Sequence, residues 1–243
     1  MKITMVGCWG AYPAVGEATS ALLVEEKGFQ MLIECGSGVL AQVQKYTSLA
    51  SLDAVLVSHY HHDHVADLGP LQYALLIQEQ LGKRNETLPI YGHQQDKEAY
   101  ASLTYKSYTV GQPIEAGKSI RIGPWKASFC ATVHPAYCLA VKLESDQKTL
   151  VYTADTEWCE ALVPFAEEAD FLITDCSLYD EQLGKVEGHL TAGQAGKLAS
   201  LAQVKKLVLT HLPHYGDHQE LTNQARRTFS GETVLAYSGL EIT

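Results

Sequence analysis

Five residues that can bind a metal ion fall within the six positions from His59 to His64, directly after the apolar run 53–58. An apolar run of this length predicts a buried strand, and the loop after such a strand commonly carries function. His59 and His61 are two positions apart, so an extended segment points both rings to one side. Asp63 and His64 fall where the chain turns toward the next predicted helix. This spacing predicts a metal site rather than a polar loop.

Further candidate ligands terminate later apolar runs. His134 follows the run 125–133, Asp155 follows 148–154, and His211 closes 206–211. Each of them alone is typical of a turn or a cap. Together with the first cluster they form a coherent set of nitrogen and oxygen ligands, for which zinc is the default ion and manganese or iron the alternatives.

Short apolar runs alternate with amphipathic segments along the chain. The pattern predicts helices at 38–46, 67–81, 94–103 and 191–202, the last beginning with a capping box of Thr191 and Gln194. Predicted strands lie at 2–8, 19–26, 29–36, 53–58, 88–92, 118–123, 125–133, 137–145, 148–154, 170–176 and 206–211. No linker or break in composition interrupts them, which favours one α/β domain over residues 1–243.

The ordered set His59-x-His61-x-Asp63-His64, His134, Asp155 and His211 resembles the metallo-β-lactamase-fold hydrolases over nearly the whole chain. The resemblance implies a four-layer αββα sandwich that binds two divalent metal ions and hydrolyses its substrate with a metal-bridging hydroxide. It implies that the first ion is bound by His59, His61 and His134, the second by Asp63, His64 and His211, and both by a bridging Asp155.

Residues 188–215 are similar to the ribonuclease Z branch of these hydrolases, in which a His-x-Thr motif opens a helix before the last ligand histidine. His189 and Thr191 match that motif. The likeness implies that His189 serves as the acid for the leaving group, and Asp63 and His189 are therefore the predicted catalytic residues. The implied substrate is a small anionic phosphodiester or a short nucleic acid end.

Three departures from the branch limit this prediction. Only the 20 residues 135–154 separate His134 from Asp155, which leaves no room for the long arm of the tRNA-processing enzymes. With a net charge of −10, this argues against extensive tRNA binding, because phosphate neutralisation needs a basic face. Glu34 stands where the family usually has aspartate, and either orients a ligand histidine or ends a strand at a turn. After His211, the segment 212–214 replaces a small polar residue and an arginine.

Other histidines are weaker candidates. His62 is predicted to be a spacer, as is Tyr60, and His93 is a possible contact to substrate at the end of a strand. His214 and Tyr215 are possible substrate contacts as well, although His214 and His218 are more typical of surface residues.

Two alternative functions remain open. The same centre could hydrolyse a carboxylic or sulfate ester or a lactone, although the His189 motif favours a phosphodiester. A non-hydrolytic metal-binding protein or a diiron redox protein is the other alternative. The diiron branch usually has glutamate in place of His61, which this chain lacks.

The remaining features predict a cytoplasmic protein without a membrane segment. No apolar run reaches the roughly 18 residues of a membrane span, and no secretory leader pattern opens the sequence. The six cysteines form no CxxC pair and suit buried free thiols in a reducing compartment. The apolar helix at 71–81 suits either the core or a homodimer interface, with the core preferred.

Overall fold

The computed structural model describes all residues 1–243, which form fourteen strands and seven α-helices. The strands are β1 (Lys2–Gly7), β2 (Ala21–Glu26), β3 (Phe29–Ile33), β4 (Ala54–Leu56), β5 (Leu88–His93), β6 (Thr109–Ile114), β7 (Ser119–Ile122), β8 (Trp125–Ala131), β9 (Leu139–Glu144), β10 (Thr149–Tyr152), β11 (Phe171–Asp175), β12 (Lys206–Thr210), β13 (Glu232–Leu235) and β14 (Glu241–Ile242).

The helices are α1 (Val39–Val43), α2 (His62–Val65), α3 (Leu68–Gln80), α4 (Lys97–Ser102), α5 (Leu162–Phe165), α6 (Ala192–Leu201) and α7 (His218–Arg226). None of them combines the length and the apolar character that crossing a membrane requires. The capping box that was predicted to begin α6 is present, with reciprocal bonds between Thr191 and Gln194.

Elements with strong apolar patterns occur where the sequence predicts them, whereas β6, β13, β14, α2, α5 and α7 were not predicted. Strand β6 contains Gly111 and Pro113, which weaken a strand pattern. Strands β13 and β14 are short, and helix α7 is largely polar. These elements are held by tertiary pairing more than by their own sequence preference.

Residues 1–114 and 237–243 form one compact unit around a seven-stranded mixed sheet. Its strand order is β14-β1-β2-β3-β4-β5-β6; pairs from β14 to β3 are antiparallel and pairs from β3 to β6 are parallel. Helices α1 and α3 cover the sheet through a shared core. Its buried members include Leu23, Leu32 and Val55 from the strands and Val39, Val43, Leu71 and Leu75 from the helices.

Residues 115–236 form a second compact unit around another seven-stranded sheet, with the order β13-β12-β11-β10-β9-β8-β7. Pairs from β7 to β10 are antiparallel and pairs from β10 to β13 are parallel. Helices α6 and α7 contact each other; α6 packs on β11 and β12, and α7 on β13.

Both sheets therefore contain the same series of three antiparallel and then three parallel pairings, a repeat that the sequence does not reveal. The carboxyl ends of parallel strands open a crevice that commonly binds ligands. Glu34, the 58–64 loop and His93 lie at these ends in the first unit, and Asp155, Asp175 and His211 in the second. The single domain over 1–243 stays a prediction.

Candidate metal and catalytic site

His59 and His61 face each other across the bend that follows β4. The Nε2 atom of His59 lies 3.1 Å from the Nδ1 atom of His61, as their spacing in an extended segment predicts. The other ring nitrogen of His59 lies 2.9 Å from the Oγ atom of Ser58. His59 is fully buried, whereas His61 is exposed. Ser58 thus orients the His59 ring with its Nε2 atom toward His61.

Asp63 and His64 lie on the single turn of α2. The Nε2 atom of His64 is 3.5 Å from Oδ2 of Asp63, which also accepts a hydrogen bond of 2.9 Å from the amide of Ala11. The hydroxyl of Thr19 donates to the backbone carbonyl of Asp63 at 2.6 Å. A side chain at Gly36 would collide with that same carbonyl, which explains the glycine. The predicted ligand Asp63 is therefore held at its carboxylate by the Ala11 amide and at its backbone by the Thr19 hydroxyl.

Glu34 contacts both ends of the 58–64 loop, Ser58 and His64. Its carboxylate is fully buried and accepts a hydrogen bond from the amide of Ser58 at 3.2 Å. Its Oε1 atom lies 3.4 Å from Nδ1 of His64. The contact with His64 favours the interpretation that Glu34 orients a ligand histidine, as carboxylates behind ligand histidines commonly do.

Tyr60 is a support rather than a spacer that points away. Its hydroxyl donates to the backbone carbonyl of His93 at 2.6 Å, and the Tyr60 and His93 rings lie 4.5 Å apart. Burial raises the pKa of the Tyr60 hydroxyl, so it stays a donor. The contact links Tyr60, which lies between His59 and His61, to the end of β5.

In the second unit, the Nε2 atom of His211 lies 3.4 Å from Oδ2 of Asp155. Asp155 is buried, and its backbone carbonyl accepts a hydrogen bond of 2.8 Å from the hydroxyl of Thr132. His134 directs Nδ1 at the carbonyl of Gly188, 2.9 Å away, and it belongs to a cluster that could hold a metal ion.

Asp175 and Ser177 contact predicted site residues, although the sequence did not predict a role for either. Oδ2 of Asp175 lies 2.8 Å from Nδ1 of His189, and its Oδ1 accepts a hydrogen bond of 2.6 Å from Ser177. The Ser177 hydroxyl is in turn 2.7 Å from Nδ1 of His211. Asp175 ends the buried strand β11, so the signal used for His134, Asp155 and His211 applied to it as well.

The rings of His189 and His211 stack at a centroid distance of 5.1 Å, and the His134 ring meets His189 edge-on at 5.4 Å. Asp175, His189 and His211 each offer a ligand atom within 4.8 Å of the others. Because Asp175 holds Nδ1 of His189, the opposite nitrogen is the one that can exchange a proton with a substrate.

Backbone strain is concentrated at these positions. Four of the eight non-glycine residues with positive φ are Ala11, Glu34, Ala154 and His211, at 61°, 66°, 52° and 55°. Such conformations persist where the surrounding structure holds them, and they cluster at functional sites. Glu34 and His211 contribute side chains described above, Ala154 precedes Asp155, and the amide of Ala11 donates to Asp63.

Two cysteines adjoin site residues without being ligands. Burial raises the pKa of the Cys35 and Cys176 thiols well above the usual value, so both remain protonated. All six cysteines are free, as the sequence predicts. His62 is exposed on α2, and Nε2 of His218 contacts the carbonyl of Pro213 at 2.7 Å.

The donor set fits a divalent ion. Two nitrogens bound tetrahedrally to one zinc ion at ~2.0–2.1 Å are separated by about 3.3 Å. The pairs His59–His61, His64–Asp63 and His211–Asp155 are separated by 3.1, 3.5 and 3.4 Å. The last two separations are longer than good hydrogen bonds but suit ligands that share an ion. Each of the seven predicted ligands belongs to a cluster of His and Asp side chains that could hold a metal ion.

Known proteins resemble the chain over its full length. Residues 30–212 match the "Beta-lactamase superfamily domain" family. The "Probable metallo-hydrolase YhfI" of Bacillus subtilis (strain 168) is 43% identical over 239 residues, which cover 98% of each chain. The crystal structure of that protein superimposes with a TM-score of 0.98 over 99% of this chain and 98% of the other.

Two relatives belong to the ribonuclease Z group. Ribonuclease Z of Methanosarcina mazei is 28% identical over 96% of this chain and 95% of its own length. The short form of human tRNase Z shares the fold, with a TM-score of 0.78, 21% identity and coverage of 100% and 99%. The predicted fold class and the likeness to the ribonuclease Z branch are thus confirmed, and the chain belongs to the metallo-hydrolases of the β-lactamase superfamily.

Proposed function

We propose that the protein is a dinuclear metal-dependent phosphodiesterase that acts on a small phosphodiester or on a short nucleic acid end. Its ligands would be the seven residues His59, His61, Asp63, His64, His134, Asp155 and His211, and zinc is the preferred ion. Membership in a metallo-hydrolase family supports the hydrolysis, and the ribonuclease Z relatives support the diester.

The observation that carries the proposal is the pair of His189 and Asp175. A carboxylate 2.8 Å from Nδ1 keeps the proton on that nitrogen and stabilises the imidazolium form. A general acid of this kind is useful when the leaving group is an alkoxide, because an alkoxide must be protonated as its bond to phosphorus breaks. The pair is therefore better suited to phosphodiesters with alcohol leaving groups than to activated esters.

The ions, when bound, would lower the pKa of water and offset the negative charge of the diester. Other side chains of the protein orient the proposed ligand histidines. The Ser58 hydroxyl contacts the ring of His59, the Ser177 hydroxyl contacts the ring of His211, and the Glu34 carboxylate contacts the ring of His64. His189 holds the proton destined for the leaving oxygen.

The absence of an arm favours a small substrate. The alignment with the Methanosarcina enzyme extends over 294 residues whereas this chain has 243, so that enzyme contains segments that this chain lacks. The 20 residues 135–154 that follow β8 hold only the antiparallel strands β9 and β10 and their short connections. We therefore propose that extended binding of tRNA is not the role of this protein.

The test uses protein loaded with Zn²⁺ or Mn²⁺ and two diesters, bis(p-nitrophenyl) phosphate and a dinucleotide with an alcohol leaving group. We expect both to be hydrolysed. His189→Ala should lower kcat for the dinucleotide by about 10²–10⁴-fold. It should affect the p-nitrophenyl diester far less, because p-nitrophenolate leaves without a proton.

A parallel panel of carboxylic esters, sulfate esters and lactones, with a cyclic nucleotide and pre-tRNA, distinguishes the alternatives. Faster turnover of a non-phosphate ester would replace the proposed substrate class. Full activity and metal content in Asp63→Ala would contradict the ligand assignment. Equal losses on both diesters in His189→Ala would contradict its role as the acid.

A further inference from the structure

Tyr215 lies four residues beyond His211, in the loop that leaves β12. Half of its surface is exposed. The neighbouring strand β11 runs parallel to β12, with Asp175 opposite Thr210, so the loops after both strands leave the same edge of the sheet. Tyr179 lies in the loop after β11, two residues beyond Ser177. Since Ser177 contacts His211, these loops are joined beside a proposed metal ligand.

The polar end of Tyr215 is anchored. Its hydroxyl lies 3.0 Å from Nε2 and 3.2 Å from Oε1 of Gln182. Oε1 of Gln182 also accepts a hydrogen bond of 3.0 Å from the amide of Tyr179. The hydroxyl of Tyr179 donates to the backbone carbonyl of Tyr215 at 3.1 Å. Side chain and backbone of Tyr215 are thus both held by the loop after β11.

The rest of the loop is equally constrained. His218 closes it by contacting the carbonyl of Pro213 at 2.7 Å. Gly216 has φ of 81°, and any side chain there would collide with the ring of Tyr179. An exposed tyrosine on an ordinary surface needs none of these contacts. The Tyr179 ring lies 6.0 Å from the Tyr215 ring at an interplanar angle of 46°, and half of Tyr215 stays exposed while its hydroxyl is held.

We propose that Tyr215 is a stacking platform for the nucleobase of a nucleotidyl phosphodiester, and so determines substrate specificity. This inference rests on the proposed phosphodiesterase function and names its substrate class. A fixed aromatic ring is suited to this task, because little side-chain freedom is lost on binding and every base has a flat face. Arg226, the last residue of α7, donates to the carbonyl of Thr233, and Arg227, which follows it, donates to the carboxylate of Glu220.

The first test is equilibrium binding of adenosine 5′-monophosphate and ribose 5-phosphate to the metal-loaded protein, measured by calorimetry. These ligands share the phosphate and sugar and differ in the base. We expect the wild type to prefer the nucleotide by about tenfold, the usual effect of one stacked base. Tyr215→Ala should reduce the preference to within twofold, while Tyr215→Phe should keep most of it. Tyr237→Ala removes another exposed tyrosine and should change nothing.

The second test compares hydrolysis of thymidine 5′-(p-nitrophenyl phosphate) with that of methyl p-nitrophenyl phosphate. Tyr215→Ala should raise KM about tenfold for the thymidine substrate alone and leave kcat and the methyl substrate unchanged. A wild type without nucleotide preference, or a Tyr215→Ala variant that retains it, overturns the inference. If nucleotide binding depends on Tyr215 but no diester is hydrolysed, the phosphodiesterase proposal fails and the stacking platform stands.

Discussion

The Nδ1 atom of His189 lies 2.8 Å from Oδ2 of Asp175, although fourteen positions separate the two residues in the chain. Asp175 is fully enclosed at the end of β11, whereas the His189 side chain is partly exposed. A buried carboxylate thus holds the inner nitrogen of an imidazole whose outer nitrogen can meet a substrate.

Asp175→Asn should remove the stabilisation of the His189 imidazolium while preserving the size of the side chain. We expect kcat for a diester with an alcohol leaving group to fall roughly 10²–10⁴-fold, with two metal ions retained. Steady-state kinetics and metal analysis check this. Glu115→Gln, at an exposed carboxylate, is the matched control. Unchanged kcat in Asp175→Asn would contradict the coupling.

Ser177→Ala should weaken metal binding, because the hydroxyl 2.7 Å from Nδ1 of His211 orients that ring. Loss of a group that orients a ligand typically lowers affinity about 10–100-fold. Competition with a fluorescent zinc chelator measures it. Ser145→Ala, in the turn between β9 and β10, removes a hydroxyl that bonds to Gln147 and Lys148 of the same turn and should leave the affinity unchanged.

Tyr60→Phe should loosen the His59–His61 segment by deleting one hydrogen bond to the carbonyl of His93. We expect the free energy of unfolding to fall by about 1 kcal/mol and zinc affinity to fall severalfold. Denaturant unfolding and chelator competition report the two effects. Tyr91→Phe, on the adjoining strand β5, is the control. If the wild type and Tyr60→Phe bind zinc with the same affinity, the contact contributes to folding stability but not to metal binding.

Chelation of the ions should lower the thermal stability, because ligand binding to the folded state alone stabilises it. At ion concentrations near 100 times Kd the effect is about 2.7 kcal/mol, equivalent to a Tm change of about 5–10 °C. Adding Zn²⁺ back should restore the Tm. His64→Ala should blunt this response, whereas His62→Ala, at the exposed neighbouring histidine, should retain it. Equal responses in the two variants would count against His64 as a ligand.

The ionised carboxylate of Asp170 should contribute to the free energy of unfolding, and this contribution should be lost in acid. Burial favours the neutral form of its carboxyl, but hydrogen bonds from Lys205 and the amide of Thr149, with the charge of Lys148, outweigh burial and hold the pKa below its usual 3.8. A carboxylate with a lowered pKa stabilises the fold above pH 3.8, and this contribution is lost as the pH falls through the lower folded value.

Asp170→Asn should therefore lower the free energy of unfolding at pH 7 by about 1 kcal/mol, a modest figure because Lys205 is exposed. The difference from the wild type should shrink as the pH falls below 3.8. Urea unfolding at several pH values tests this. A difference that stays constant down to pH 2 would show that the charge of Asp170 contributes nothing.

The site residues that could be predicted from the sequence share a local signal. His59, His61, Asp63 and His64 occupy adjacent positions after an apolar strand, and His134, Asp155 and His211 each follow one. Within one sheet, parallel strands bring such positions to the same edge, as β10 and β12 do for Asp155 and His211. The elements with strong periodicity or a capping box were predictable for the same reason, because their signals lie within one turn or one strand.

Only the tertiary structure decided which side chains support those residues. Ser177 meets His211 across 34 positions, Glu34 meets His64 across 30, and Tyr60 meets the carbonyl of His93 across 33. The residues next to them in the sequence do not predict these contacts, because the contacts depend on the pairing of strands and on the positive φ of Glu34 and His211. The sequence by itself determined a metal-binding chemistry at strand ends. Long-range packing determined the orientation of each ligand, because a hydrogen bond depends on distances and angles that only the folded chain sets.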